Sequence, residues 1–286
     1  MDSRLRGSDE RIRASREVPR SLLPRYAHPM DIDLIALLML VAFCAGTIDA
    51  MAGGGGLITI PALLAAGVPP VMALGTNKLQ SAFGTAGATF AFWRKGHIDL
   101  RRSWRLALAS FGGAAVGAAL VQAIDPQFLA GLLPVLLVAM ALYFLFGPRL
   151  SDVDTHTRLA PAGLLLAVAA IGTYDGFFGP GTGSFFTLLL VTAAGMGATR
   201  AVGHTKLLNL ASNLAGVTVL VAGGHVWWVL GLSMAVASVA GGQLGAALAI
   251  RFGGRAIRPL LVVVSLALTV KLVADPANPL RVWLGI

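Results

Sequence analysis

Asp49-Ala-Met-Ala-Gly-Gly-Gly-Gly-Leu-Ile-Thr-Ile-Pro-Ala-Leu-Leu64, followed by Leu74-Gly-Thr-Asn-Lys78, has a partner further along the chain. That partner is Asp175-Gly-Phe-Phe-Gly-Pro-Gly-Thr-Gly-Ser-Phe-Phe186, followed by Val202-Gly-His-Thr-Lys206. Each stretch opens with an acid, passes a glycine run, crosses a short apolar segment and reaches a lysine set in apolar sequence. Four consecutive glycines break a helix, because glycine costs about 1 kcal/mol per position relative to alanine. Pro180, inside the second run, has no N–H to donate. Where the surrounding chain is apolar, such broken backbone is tolerated only against protein or a wet cavity.

The surroundings are apolar. The 286 residues are 56% hydrophobic and 12% charged, with a mean hydropathy of +0.78, against roughly 25% charged residues in soluble domains. Runs long enough to cross a bilayer, about 20 residues, recur throughout. In the first half the apolar pieces are Leu34–Ala50, the short Leu57–Ala66, Val71–Trp93, Leu106–Ala123 and Phe128–Phe146. In the second they are Leu159–Thr173, the short Ser184–Ala194, Ala198–Ala222, Val226–Ile250 and Leu260–Val273. The fold class that follows is an all-α polytopic membrane protein of about eight to ten spanning or half-spanning helices, some broken by glycine.

The order long, short, long, long, long occurs twice. Asp49 and Asp175 are 126 positions apart; Lys78/Lys206, Gly96/Gly224, His97/His225, Gly113/Gly241 and Gly117/Gly245 are each 128 apart. This spacing predicts an internal duplication, with membrane repeats over 30–150 and 151–286. Positive charge predicts that the repeat is inverted. The loop Arg94–Arg105 carries five Lys/Arg and its counterpart Gly223–Gly231 none, whereas Asp125–Gln127 has none and Arg251–Arg258 has three. Corresponding loops with opposite positive bias belong on opposite membrane faces.

Residues 1–29 are polar and arginine-rich, without the apolar core of a signal peptide. Two readings fit: a disordered tail, or an extension upstream of a start at Met30. The net charge of +9 is explained by orienting arginines in short loops rather than by nucleic acid, since no soluble domain carries a basic groove. A lone cysteine, Cys44, rules out an internal disulfide and reads as a small packing residue. Gly112, Gly113, Gly117, Gly241, Gly242 and Gly245 read as sites of close helix packing. His97 and His225 lack companion ligands at metal-binding spacing, and no metal or cofactor is expected. No Walker motif, nucleophile elbow or paired catalytic acid is present, so an enzyme is not expected.

Paired glycine- or proline-broken segments in the two halves of a membrane chain point to a transporter's binding site. A short helix starting after each break would offer N–H groups to an anion. Gly54, Gly55 and Gly56 supply them in the first half, and Gly181, Thr182, Gly183 and Ser184 in the second, where two hydroxyls are added. Lys78 and Lys206, each preceded by polar residues (Thr76 and Asn77; Thr205), are buried-charge candidates for binding the substrate. The plain alternative is that they snorkel to the interface. Helical spacing places Asn209 and Asn213 beside Lys206, as anion donors or interhelical glue. Asp49 and Asp175 are coupling or structural acids: partners of a lysine, caps of the next helix, or carriers of a proton.

These residues resemble the TauE/SafE-type sulfite exporter family of integral membrane permeases. The resemblance runs from Met30 to about Lys271. It is carried by Gly53–Gly56, Pro61, Leu74-Gly-Thr-Asn-Lys78, Gly96-His-Ile-Asp-Leu100, Tyr174–Gly183 and Thr205-Lys-Leu-Leu-Asn-Leu-Ala-Ser-Asn213. It implies a multi-pass permease in a bacterial inner membrane, moving sulfite, a sulfonate or a related small organic anion. The expected function is a secondary carrier for a small anion, with protons as a candidate coupling ion and an oligomer compatible with the sequence. A passive anion channel is the first alternative, and a membrane enzyme or assembly factor the more distant one.

Overall fold

The structure is a computed structural model and describes residues 31–146, 159–252, 270 and 274. The N-terminal segment 1–29, the link between the two halves and most of Leu260–Val273 lie outside the described residues. Among the described residues there are nine helices and no strand: α1 Ile32–Ala52, α2 Gly56–Ala65, α3 Pro70–Arg94, α4 Leu100–Gln122, α5 Pro126–Phe146, α6 Pro161–Phe177, α7 Thr182–Thr192, α8 Ala198–Ala222 and α9 Trp228–Phe252. Helices α1, α4, α8 and α9 are long and apolar enough to cross a membrane, while α2 and α7 are the short helices expected after the glycine runs.

Local chemistry sets the helix ends. Pro70 and Pro161 open α3 and α6, where a missing N–H costs nothing. The Asp99 carboxylate accepts the Arg102 N–H at 3.2 Å at the start of α4. Asp125 accepts the Gln127 and Phe128 N–H groups at 2.8 and 3.0 Å ahead of α5. Both satisfy orphan donors of a first turn.

Apolar side chains lie on the outside as well as in the core. Leu108, Leu166, Val229 and Val236 are exposed, whereas both lysines of the quoted stretches are buried, Lys78 at 2% and Lys206 at 1% exposure. Such a surface suits lipid, where apolar side chains gain nothing by turning inward. The core that does form runs through both halves: Leu129, Leu133 and Leu137, one stripe of α5, pack in a cluster with Leu57, Leu74, Phe178 and Leu220.

The halves interlock. The most extensive packings are α1 on α9 and α4 on α6, followed by α3 on α9, α4 on α8 and α3 on α8. Close approach explains the glycines of α4 and α9. A Cβ on Gly117 would stand 2.0 Å from the Thr173 carbonyl oxygen, and one on Gly245 2.1 Å from that of Thr47. Gly113, Gly241 and Gly242 meet backbone in the same way, but a Cβ on Gly112 would meet nothing within 4 Å. Gly112 therefore departs from the packing expected of it. Cys44 departs too: it lies exposed on the outer face of α1 and not in a helix contact.

Candidate substrate site

Both glycine runs are turns between a long and a short helix. Gly53 (φ +70°) and Gly54 (φ +143°) separate α1 from α2; Gly179 (φ +99°) and Gly181 (φ +84°) separate α6 from α7. Only glycine enters these regions without strain. The two turns meet backbone to backbone, because a Cβ on Gly53 would lie 2.6 Å from Gly183 Cα and one on Gly183 2.7 Å from Gly53 Cα. Any side chain would push the breaks apart.

Around this contact the acids and lysines pair across the halves. Lys78 Nζ donates to Asp175 Oδ1 at 2.8 Å, with side chains only 2% and 5% exposed. Lys206 Nζ lies 3.4 Å from Asp49 Oδ2 and also donates to the Asp49 backbone carbonyl. Each lysine is nine residues into its helix, α3 or α8, too deep and too enclosed to snorkel. A buried ion without a partner costs several kcal/mol, so the crossed pairing is the physical reason these ammonium groups are tolerated.

A small polar cavity lies at the junction. Gly54, Gly56, Asn77, Lys78, Gly181, Thr182, Gly183, Asn209, Asn213, Asp49 and Asp175 line it, with Ser81, which helical spacing sets beside Lys78, and Gly179 of the second glycine run. The rest stand behind them. Lys206 reaches the lining through Asp49. Thr205 pairs its hydroxyl with that of Thr187 at 3.1 Å. The Ser184 hydroxyl donates to the Gly53 carbonyl at 3.4 Å. Thr76 lies away from the cavity, where its Oγ1 accepts the Trp227 N–H at 3.1 Å.

The donors at the breaks are less open than spacing suggested. Gly54 and Gly55 N–H donate to Asp49 Oδ1 at 3.0 and 3.2 Å, so Asp49 ties down the turn ahead of α2 and holds Lys206 at once. The Thr182 hydroxyl donates to the Gly179 carbonyl at 2.6 Å. Asn77 is differently placed. Its Oδ1 accepts from the Thr59 hydroxyl at 2.5 Å and from Gln80 Nε2 at 3.1 Å. That fixes the amide and leaves Nδ2 as its end to offer a ligand.

Sequence reasoning missed the supports: Thr59 and Gln80 behind Asn77, Thr187 behind Thr205, and Tyr174, whose hydroxyl donates to the Pro180 carbonyl at 2.7 Å. A signal existed for two of them. Thr59 and Thr187 are 128 positions apart, as are their partners Asn77 and Thr205, and both threonines are polar residues inside short apolar helices.

Broken helices, buried crossed charges and a polar cavity inside an apolar-surfaced bundle define a polytopic membrane transporter. The chain belongs to the TauE/SafE sulfite exporter family, whose model matches residues 38–272. It is 49% identical over 257 residues to a probable membrane transporter protein, ORF9, of a Sinorhizobium species, covering 90% of this chain and 98% of that protein. It is 46% identical over 248 residues to a probable membrane transporter protein of Haemophilus influenzae, covering 86% and 97%. With the probable membrane transporter protein YfcA of Escherichia coli K12 the identity is 41% over 254 residues, covering 88% and 94%. No solved structure matches the chain. The protein is thus a multi-pass transporter of a bacterial inner membrane and not an enzyme.

Proposed function

We propose that the protein is a secondary carrier for a small anion, with sulfite or a sulfonate as the substrate class, and that its two halves form an inverted repeat around the site. The observation that supports this most is the crossed pairing of Lys78 with Asp175 and Lys206 with Asp49 beside the cavity. The four charges cancel, so the resting site holds no net charge. An anion enters only when an ammonium is released from its carboxylate, either by the anion competing for it or by a proton neutralising the acid.

The second route makes protons a coupling ion, and the two acids differ in access to them. The Asp49 side chain is 23% exposed against 5% for Asp175, so a proton arriving through the cavity has access to Asp49, and protonation there must displace Lys206 and the Gly54 and Gly55 N–H donors that favour its charged form. Lys206 then turns to the anion. Asn77 Nδ2 and Asn213, on the cavity wall, replace part of the anion's hydration. Ion pairs that must open and close with each passage support a carrier over an open channel.

The test is flux of sulfite and of a sulfonate into proteoliposomes under an imposed proton gradient. Wild-type protein is expected to accumulate the anion against its gradient. Lys78→Met alone leaves Asp175 buried and unpaired, at a cost of about 3–5 kcal/mol, so it is paired with Lys78→Met/Asp175→Leu, which restores neutrality. The double variant is expected to insert yet lose transport by about a hundredfold, the size of one charge-assisted interaction network. Undiminished flux in the well-inserted double variant would sink the lysine's role. Flux that only equilibrates, whatever the proton gradient, would turn the reading to a channel.

A further inference from the structure

The two breaks treat their acids differently, and one residue accounts for part of the difference. Five positions after Asp49 comes Gly54, whose N–H binds Asp49 Oδ1, and Gly55 adds a second. Five positions after Asp175 comes Pro180, which has no N–H. The proline is held in place: its carbonyl accepts the Tyr174 hydroxyl at 2.7 Å, and its ring lies against Gly56, where a Cβ would stand 3.2 Å from Pro180 Cγ. Asp175 Oδ1 holds Lys78, but Asp175 Oδ2 is buried with no hydrogen-bond partner. Asn209 Oδ1, on the same cavity wall, is buried and unpartnered as well.

Buried polar atoms without partners are rare in native proteins, and each calls for an explanation. Both orphans here are acceptors. A bare oxyanion brings only acceptors, leaves both unsatisfied and sets its charge against that of Asp175. A ligand that also carries an N–H or O–H would satisfy Asp175 Oδ2 while its charged end meets Lys78. Gly179 lies directly against this pair, since a Cβ there would stand 3.0 Å from Lys78 Nζ and 3.2 Å from Asp175 Oδ1.

We propose that the cavity selects anions that carry their own hydrogen-bond donor, and that Asp175 Oδ2 is the acceptor that reads it. The chemical class is a singly protonated oxyanion such as hydrogen sulfite, or a sulfonate bearing a hydroxyl or ammonium group. This rests on the cavity being the anion site, and it adds to that reading a rule for telling substrates apart. A site built to accept a hydrogen bond rejects an analogue that lacks the donor more sharply than one that differs by a methylene.

The experiment is calorimetric titration of the full chain in detergent with two sulfonates of equal size, 2-hydroxyethanesulfonate and propane-1-sulfonate. The hydroxylated anion is expected to bind at least about tenfold more tightly, the scale of one hydrogen bond to a charged group. In Asp175→Leu the ratio is expected to fall to about one. If that variant does not fold, Pro180→Gly decides, because an added N–H at that position competes for Asp175 Oδ2 and lowers the ratio. Equal wild-type affinities, with both lost in the Lys78→Met/Asp175→Leu protein, would overturn the donor rule and leave the anion site standing. A ratio that survives in Asp175→Leu, or in Pro180→Gly where that variant decides, would remove Asp175 from the assignment. Binding of neither sulfonate, nor of hydrogen sulfite, would take down the anion reading and this inference together.

Discussion

The turn after α1 and the turn after α6 are built from the same parts and differ in how much they leave undone. In the first, Asp49 is shared among Lys206, Gly54 and Gly55, and part of its side chain stays exposed. In the second, Asp175 is enclosed, holds Lys78 alone and keeps one oxygen bare. In the first turn the acid has donors on both oxygens; the second has an unfilled acceptor. Matching architecture therefore carries unlike chemistry, and the unlike part is where discrimination between ligands belongs.

The comparison breaks most severely if the turns cannot touch. Gly53→Val places a branched side chain at φ +70° against the Gly183 backbone. Strain of about 1–3 kcal/mol adds to overpacking of a similar size. The expected outcome is loss of monodisperse protein in detergent, read by size-exclusion chromatography. Gly67→Ala serves as the control. Gly67 also has positive φ, +81°, but a Cβ there meets nothing within 4 Å, so only the backbone strain remains and the protein should survive. Equal behaviour of the two variants would mean that the meeting of the breaks is not what holds them.

A smaller effect separates the two lysines. Lys78→Met strands Asp175 with no donor in an enclosed site, whereas Lys206→Met leaves Asp49 with two backbone N–H groups and partial exposure. The first should cost about 3–5 kcal/mol. The second should cost about half as much, since hydrogen bonds to a charged group are worth roughly 1.5–3 kcal/mol each. Thermal unfolding in one detergent ranks them: Lys78→Met should melt lowest and Lys206→Met between it and wild type. The reverse order would show that the enclosed pair is not the more dependent one.

Much of this was legible in the sequence, for a physical reason. Glycine runs and charges are costly in an apolar chain, so Asp49, Gly53–Gly56, Lys78 and their counterparts stand out wherever they are kept. The helix breaks, the short α2 and α7, and most of the cavity wall followed from that. The crossing of the pairs was not legible, because nothing in the spacing says whether Lys78 meets Asp49 or Asp175. That depends on how α3 and α8 pass the two turns. Nor could spacing choose among the partners it offered Asp49, which takes both a lysine and the Gly54 and Gly55 N–H groups. The consequence of Pro180 was within reach: a missing donor opposite Gly54 can be read from two letters, but only once an acid is known to want it.

The smallest expected effect concerns a second matched contact, further from the cavity. Thr76 Oγ1 accepts the Trp227 N–H at 3.1 Å, and 128 positions on, His204 Nε2 accepts the Asp99 N–H at 3.3 Å. His204 Nδ1 lies 2.9 Å from the Arg200 carbonyl, so Nδ1 carries the hydrogen and Nε2 is free to accept only while the ring is neutral. Protonation puts a hydrogen on both nitrogens and turns the acceptor into a second donor facing Asp99 N–H. A threonine hydroxyl has no such transition. Stability from the histidine contact is therefore present above its protonation pH and lost below it, by about 1–3 kcal/mol for a stranded N–H, while the threonine contact is unchanged. Hydrogen exchange of the two amides across an acid titration reads this directly, after correction for the intrinsic pH dependence of exchange. The Asp99 amide should lose protection on acidification and the Trp227 amide should not, and His204→Thr should make the two amides respond alike. Parallel loss at both amides in wild-type protein would mean that the two contacts are equivalent, and that the second half owes its different chemistry to its turn alone.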